Sequence, residues 1–295
     1  MVFNALALLA RCGGGASSRR IRCASWLAGH GALLARPDLL GRDLRNLAIA
    51  LGPCSGVATR LNILRISLVT SARSAIRVLI CVMRPTAYRC SLNDLTVTGR
   101  EHLEESLAAG GVVAVSAHLG DFARTVLWLA HAGYPVTMTI REAKHVPPGL
   151  YRDAFTALGV EAVVVDSDRQ TTQTLLRALK AGRIVVIYLD QDAKQGGLEM
   201  TFLGKRTPIP TGPAVLAQRT GATLLPMFSI DQQGGAGRVD ILPGLRPTMD
   251  PNRTAAISAD TQRLAAIVES YIRRYPQQWG WRYRRWRNRP LVPSR

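Results

Sequence analysis

The sequence predicts an α/β fold in which a buried sheet is flanked by helices. Short apolar runs rich in β-branched residues, such as Gly-Val-Val-Ala-Val-Ser-Ala at 111–117, have the length and composition of buried strands. Segments with helical spacing of apolar residues separate these runs, and alternation of this kind builds a layered sheet. Residues 1–90 lack such runs and are expected to be helical. With 47% hydrophobic and 20% charged residues, the chain is not disordered.

The predicted elements follow one another in regular alternation. We expect strands at 111–117, 135–140, 160–165, 184–189 and 223–228, with a sixth at 239–242. Between and after them we expect helices at 121–132, 150–158, 171–179, 213–219 and 254–275. Gly159, Gly182 and Gly221 follow three of these helices, and Pro276 follows the last one, as helix stop signals do. The chain therefore divides into a helical region, 1–90, and an α/β domain, 91–295.

Positive charge is concentrated at the two ends of the chain. Residues 1–90 carry a net charge of +11 and residues 271–295 one of +8, whereas residues 91–270 carry −1. Basic ends on a neutral body indicate an anionic partner, which could be a phospholipid surface, a nucleic acid or an acidic carrier protein. The 34 Arg against four Lys show that compositional bias also contributes.

The segment 61–83 is apolar but carries Arg65, Arg73 and Arg77 near one helical face. This pattern is typical of a helix that lies in a membrane interface with a basic stripe. A core helix with a solvated arginine face remains an equal alternative. We expect no membrane span, since a span needs about 20 mostly apolar residues.

His118 directly follows the first strand of the series. Ligands of open α/β sheets bind at the carboxyl ends of strands, so His118 is expected at such an edge. A histidine there can act as a general base near neutral pH.

The surrounding motif, Ser-Ala-His-Leu-Gly-Asp-Phe at 116–122, resembles the first motif of the glycerolipid acyltransferase superfamily. The chain is most similar to the branch that contains the lipid A late acyltransferases and the phosphatidylinositol mannoside acyltransferases. Further motifs follow in that family's order at 188–192, 198–204, 210–214, 222–226 and 276–290. The resemblance covers residues 42–290.

This resemblance implies a mixed, mostly parallel sheet and the transfer of a fatty acyl group. The donor would be a thioester of acyl carrier protein or coenzyme A, and the acceptor a hydroxyl or amine of a lipid or glycolipid. His118 would be the general base, and no metal or cofactor would be required. The expected location is the cytoplasmic face of the inner membrane, as a peripheral or monotopic monomer.

One residue departs from the family pattern. The family carries an acid five residues after the histidine, where this chain has Ala123. The resemblance favours Glu199 as the carboxylate that orients His118, and Asp121 comes second. Asp121 could instead serve as a helix N-cap or first-turn acid. If no acid replaces the missing one, the chain would be a non-catalytic homologue that binds lipid or acyl carrier.

Other polar residues are candidates for substrate binding. Asp190 and Asp192 follow the strand at 184–189, and the resemblance gives them a site-lining role in preference to a Mg²⁺ site. Arg141 and Arg169 lie near element ends and could bind a phosphate or carboxylate, or could be surface residues. Thr211 and Gly212 open a helix whose free N–H groups could hold an anion.

The C-terminal segment interleaves aromatic residues and arginines, with Trp279, Trp281 and Trp286 among them. Such a segment could stack on nucleic-acid bases or lie among lipid headgroups. Its position after an acyltransferase-like body favours the lipid interpretation, and we expect no nucleic-acid partner.

Overall fold

A computed structural model describes residues 19–52, 55–85, 88, 92, 95–141, 149–165, 168–193, 197–232 and 236–282. Three helices form the N-terminal part of the described chain: α1 (Arg19–Ala35), α2 (Leu40–Leu51) and α3 (Val57–Met83). A short 3₁₀ turn, Pro37–Leu39, joins the first two. The expectation of a helical N-terminal region is confirmed for these residues.

The rest of the chain alternates strands with helices. The strands are β1 (Leu95–Thr98), β2 (Val112–Ser116), β3 (Val136–Ile140), β4 (Val160–Val164), β5 (Ile184–Tyr188), β6 (Leu198–Phe202), β7 (Lys205–Ile209), β8 (Thr223–Asp231) and β9 (Gly237–Ile241). The helices are α4 (Arg100–Ala108), α5 (Ala123–His131), α6 (Leu150–Ala157), α7 (Asp168–Lys180), α8 (Gly212–Thr220) and α9 (Arg253–Arg274), followed by a 3₁₀ turn at Pro276–Gln278.

Seven strands form one mixed sheet in the order β1-β9-β8-β2-β5-β3-β4. Five of the six pairings are parallel, and only β8 with β9 is antiparallel. The predicted fold class, a mixed and mostly parallel sheet flanked by helices, is confirmed. The carboxyl ends of β2 and β5 therefore open at the same edge of the sheet.

Two cores cover the two faces of the sheet. Val113 and Val115 of β2 belong to one core, and Val112 and Ala114 belong to the other, because successive side chains of a strand point to opposite faces. The N-terminal helices contribute to both cores, with Leu64 of α3 among the fully buried residues. The proposed division of the chain at residue 90 stays a prediction.

The sequence analysis missed β1, α4 and the two-stranded hairpin of β6 and β7. The hairpin turns at Leu203 and Gly204, whose φ angles of 51° and 74° are both positive. A tight hairpin turn of this kind favours Asn or Gly at its first position, so a leucine at that position does not indicate a turn. Leu203 adopts this conformation because its side chain is fully buried and its N–H donates to Glu269.

Helix α3 is the one described helix long and apolar enough to cross a membrane. Half of its most apolar stretch is buried inside the fold, and Gly29 of α1 packs directly on Val69. The predicted basic stripe is wrong for two of its three arginines. Arg77 is buried and Arg73 is largely buried, and both turn inward toward Asp231 because a buried carboxylate there pairs with them.

Candidate active site

The pairing of β2 with β5 determines the geometry at His118. Ser116 lies beside Tyr188 in the parallel register. Two residues beyond each of these positions, His118 and Asp190 face one another across the strand ends. The register of the two strands thus brings a histidine and a carboxylate together, although 72 residues separate them in the sequence.

Asp190 is the carboxylate that contacts the His118 ring. Its Oδ1 lies 2.8 Å from Nδ1 of His118, and its Oδ2 accepts from the His118 backbone N–H at 3.1 Å. Oδ2 also accepts from Nε1 of Trp279 at 2.8 Å. Burial alone would raise the pKa of Asp190, but the positive charge of His118 in its protonated form and these hydrogen bonds outweigh that effect and lower the pKa to about 2. The carboxylate is therefore ionised at neutral pH.

An ionised carboxylate only accepts hydrogen bonds, so Nδ1 of His118 carries the proton of the neutral ring. The other ring nitrogen, Nε2, then has a free lone pair. The side-chain amide of Gln191 lies 3.3 Å from Nε2, and its N–H₂ group is the donor in that contact. This tautomer is the one a general base needs, because Nε2 can take a proton while Asp190 stabilises the resulting imidazolium.

Two aromatic rings limit the movement of the His118 side chain. The ring centroids of Phe122 and Tyr188 lie 4.7 Å and 4.6 Å from that of His118. The Tyr188 hydroxyl donates to the backbone oxygen of Phe122 at 3.0 Å, which joins the two aromatic residues. His118 is thus held by packing as well as by hydrogen bonds.

A cavity of about 440 Å³ lies against His118. Helix α3 forms one wall with a face of five residues: Ser71, Ser74, Ala75, Val78 and Leu79. Their spacing of three and four residues is that of one helical face. His118, Asp190, Gln191 and Gln278 contribute polar groups to the lining, and Phe122 and Tyr151 contribute aromatic rings. The volume is within the range of small-molecule sites.

Asp121 belongs to a different cluster. Its side chain is buried, pairs with Arg124 and Arg77, and accepts from the Tyr88 hydroxyl at 2.9 Å. Burial raises its pKa, while the two arginines oppose that effect. The structure therefore does not place Asp121 on the ring of His118. The alternative N-cap role is also not observed, since α5 has no side-chain cap.

Glu199 is exposed on β6, where it pairs across the hairpin with Pro208. Both ring nitrogens of His118 have other partners, Asp190 at Nδ1 and Gln191 at Nε2. The structure thus differs from the expectation that Glu199 orients His118. The reason is the strand register, which brings Asp190 to the histidine, whereas Glu199 lies on a separate two-stranded sheet.

The other candidate residues lie outside the described lining of the cavity. Asp192 accepts from the Thr207 hydroxyl at 3.2 Å and so connects the end of β5 to the hairpin. Arg141 is exposed just after β3, and Thr211 and Gly212 stand at the start of α8. Arg169 is in the first turn of α7. Among the described residues, no group of three or more His, Cys, Asp or Glu side chains is placed to hold a metal ion.

The sequence analysis missed Gln191 and misjudged the C-terminal tryptophans. Trp279 is 3% exposed and Trp281 is 1% exposed, so neither ring lies among lipid headgroups. Arg282 pairs with the buried Asp43 of α2 and donates to the backbone of Ala32. Trp286 lies outside the described residues. One feature of the sequence could have indicated the pairing of His118 with Asp190: each residue follows the end of an apolar strand at the same distance.

Residues 27–288 match the family described as bacterial lipid A biosynthesis acyltransferase. The chain belongs to this family. The predicted branch of the superfamily is thereby confirmed.

Curated relatives agree with this membership. A phosphatidylinositol mannoside acyltransferase of Mycobacterium tuberculosis is 31% identical over 191 residues, which are 63% of this chain and 58% of the relative. The lipid A biosynthesis lauroyltransferase of Escherichia coli is 30% identical over 133 residues, 43% of this chain and 42% of the relative. The match thus spans little more than half the length of the first relative.

A solved structure of the 1-acyl-sn-glycerophosphate acyltransferase PlsC from Thermotoga maritima aligns with 83% of this chain and 98% of its own. The sequence identity is 13% and the TM-score is 0.43.

The low pKa of Asp190 predicts a specific dependence of stability on pH. The folded pKa of about 2 lies below the ordinary aspartate value of 3.8, so Asp190 stabilises the fold fully above about pH 4. This contribution, about 2 kcal/mol, is lost as the pH falls through 2. We expect the difference in unfolding free energy between the wild type and Asp190→Asn to shrink by about that amount from pH 6 to pH 2.

Urea unfolding at several pH values measures this difference, and the comparison with Asp190→Asn cancels the titration of the remaining carboxylates. A difference that is the same at pH 6 and pH 2 would show that the Asp190 carboxylate is not stabilised in its ionised form.

Proposed function

We propose that this protein is an acyltransferase that moves a fatty acyl group from a thioester to a hydroxyl or amine of a lipid or glycolipid. One observation carries the proposal: a histidine with a buried carboxylate on Nδ1 opens onto a largely apolar cavity. The apolar residues of the α3 wall suit an acyl chain, and the polar groups of the lining suit the reacting groups. Membership of the family supports the same activity.

In this proposal, Nε2 of His118 takes the proton from the acceptor hydroxyl or amine. The acceptor oxygen or nitrogen attacks the thioester carbonyl carbon, and the negative charge moves to the carbonyl oxygen. When the carbon–sulfur bond breaks, the electron pair returns to the carbonyl and the thiolate leaves. The imidazolium then returns its proton to the thiolate, which gives an ester or amide and a free thiol.

Asp190 is the orienting acid in this scheme. It holds the proton on Nδ1 and stabilises the imidazolium by its negative charge. The missing family acid at Ala123 therefore does not leave the histidine without a carboxylate. Gln191 occupies Nε2 in the structure, so the acceptor must displace its amide before transfer.

The donor in this proposal is an acyl carrier protein or a coenzyme A thioester. In either case Ala75, Val78 and Leu79 of the cavity wall would provide apolar contacts to the acyl chain. The acceptor is a membrane lipid or glycolipid, which requires the protein to work at a membrane surface.

We place that surface on one exposed face of the N-terminal helices, here called the α1 face. Trp26, Leu27 and Leu34 of α1 are 53%, 65% and 80% exposed, and Val57 and Leu61 at the start of α3 are exposed too. Arg19 and Arg20 are exposed on the same side of α1. Apolar residues flanked by arginines favour an anionic lipid surface over a nucleic acid. The protein is then peripheral or monotopic on the cytoplasmic side of the inner membrane.

The proposed activity predicts that His118→Ala abolishes acyl transfer. Loss of a general base costs about 10²–10⁴-fold in rate. The measurement is mass spectrometry of total lipids from cells that produce the wild type, His118→Ala or neither. His131→Ala serves as the control, since His131 is exposed at the end of α5.

We expect lipid species with an additional acyl group in the wild-type and His131→Ala cells, and their absence with His118→Ala. If no additional species forms with the wild type while it still binds acyl chains, the protein is the non-catalytic homologue. If His118→Ala retains more than about a tenth of the wild-type product, His118 is not the base.

The α1 face predicts salt-sensitive binding to anionic membranes. Each arginine near the surface contributes about 1 kcal/mol, and high salt screens this attraction. We expect flotation with phosphatidylglycerol-containing vesicles but little with phosphatidylcholine vesicles. Replacing Trp26, Leu27 and Leu34 together by Ser should weaken the binding that remains at high salt.

The control is Met249→Ser, which removes a 95% exposed apolar residue elsewhere on the protein. Equal binding of both variants to anionic vesicles would contradict the assignment of this face. Duplex DNA that competes with the vesicles would instead favour a nucleic-acid partner.

A further inference from the structure

Trp279 connects the C-terminal segment to the site. It lies just after the 3₁₀ turn that follows α9, and its backbone forms a bridge with Leu119, the residue next to His118. The N–H of Gly120 donates to the backbone oxygen of Gln278 at 3.0 Å. The segment therefore runs along the loop that carries His118, and the Trp279 indole reaches Asp190 from there.

The indole N–H completes the hydrogen bonding of Asp190. Oδ1 of the carboxylate contacts the ring nitrogen Nδ1, while Oδ2 takes the backbone N–H of His118 and the indole N–H of Trp279. A carboxylate is planar, so donors on both oxygens fix its orientation. Hydrogen bonds to a charged group in a buried site are stronger than neutral ones, and leaving the group short of a donor is costly.

We propose that Trp279 is a positioning residue for the transfer reaction, because its indole N–H holds the Asp190 carboxylate in the orientation that His118 needs. This inference rests on the proposed function, since it assumes that His118 acts as the base. Trp279 itself contacts Asp190 and borders the cavity, and it acts on the proton transfer through the carboxylate.

The neighbouring tryptophan, Trp281, provides a control that distinguishes a positioning role of Trp279 from a purely structural one. The Trp281 ring lies 4.8 Å from that of Trp279, nearly perpendicular to it, and is buried to the same degree. Its N–H donates to the backbone oxygen of Pro276 at 2.7 Å and does not reach Asp190. Trp281→Phe therefore removes the same group from the same core without removing a hydrogen bond from the site.

The first experiment is a double-mutant cycle in acyl transfer. Product formation from palmitoyl-coenzyme A and from palmitoyl-acyl carrier protein is measured with a total bacterial lipid extract as acceptor. We expect Trp279→Phe to lower kcat about 10- to 100-fold, because a hydrogen bond to a charged group is lost, with KM for the thioester unchanged. Trp281→Phe should stay within about threefold of the wild type.

In the Asp190→Asn background, Trp279→Phe should cause little further loss, since both changes disrupt the same unit. Full multiplication of the two losses would overturn the proposal. An equal loss of kcat in Trp281→Phe would do the same, because it would show that core packing alone explains the effect.

A second measurement does not depend on activity. Ionisable groups that interact with Asp190 include His118 and Tyr188. Loss of the indole donor should raise the pH at which the stabilisation by Asp190 is lost in urea unfolding, whereas Trp281→Phe should leave that pH unchanged.

If this pH rises in Trp279→Phe and no variant transfers acyl groups, the contact stands and the proposed function fails, and with it the role of Trp279 in transfer. If the pH does not move, the inference about Trp279 is wrong, whatever the activity.

Discussion

The hydrogen-bonded contact between His118 and Asp190 is the interaction on which the rest of the site depends. It fixes the tautomer of the imidazole, leaves Nε2 as the basic nitrogen and keeps a negative charge beside the ring. The contact is a consequence of the sheet, since the register of β2 with β5 places these two residues side by side. A core covers each face of the sheet, and sliding either strand by one residue would turn its side chains from one core to the other.

Parts of the chain that are distant in sequence meet around His118 and Asp190. Helix α3 closes the cavity from the N-terminal side, and the segment 276–281 approaches from the C-terminal side. Gln278 joins this segment to β8, with its amide oxygen accepting from the Asp231 N–H and its amide N–H₂ donating to the Asp231 oxygen. Asp231 in turn pairs with Arg77 and Arg124. Through Asp231 and Gln278, a network of buried charges is therefore connected to the segment that packs against the His118 loop.

Buried charges of this kind are costly to desolvate, and removing one partner leaves the other unpaired. The cluster is nevertheless well placed to fix the relative positions of α3, α5 and β8, because each contributes a member. The carboxylate of Asp121 belongs to this cluster. Asp121 is close to His118 in sequence, but its side chain therefore does not contact the imidazole ring.

The sequence predicted the sheet well because its central strands are short, apolar and separated by helices. It predicted the position of His118 for the same reason, since a residue after a buried strand lies at the sheet edge. The orienting acid could not be chosen from sequence, because several carboxylates follow strands and only the register distinguishes them. Glu199 was favoured by resemblance, and its location on a hairpin was concealed by the unusual turn at Leu203.

Predictions made from residue type alone were also wrong, for the same reason in two segments. The arginines of α3 and the tryptophans of the C-terminal segment are residue types that suit a membrane surface, but type does not determine which way a side chain faces. Arg77 is buried because carboxylates inside the fold pair with it, and Trp279 is buried because Asp190 accepts its N–H. Three of the large apolar side chains that are exposed, Trp26, Leu27 and Leu34, lie instead on α1.

The most direct test of the central claim compares two carboxylates in one assay. Acyl transfer from palmitoyl-coenzyme A and palmitoyl-acyl carrier protein to a bacterial lipid extract is measured for Asp190→Asn and Glu199→Gln. If Asp190 orients the base, Asp190→Asn should lower kcat by at least about 10²-fold, and Glu199→Gln should stay within a few-fold of the wild type. A larger loss in Glu199→Gln than in Asp190→Asn would contradict the account.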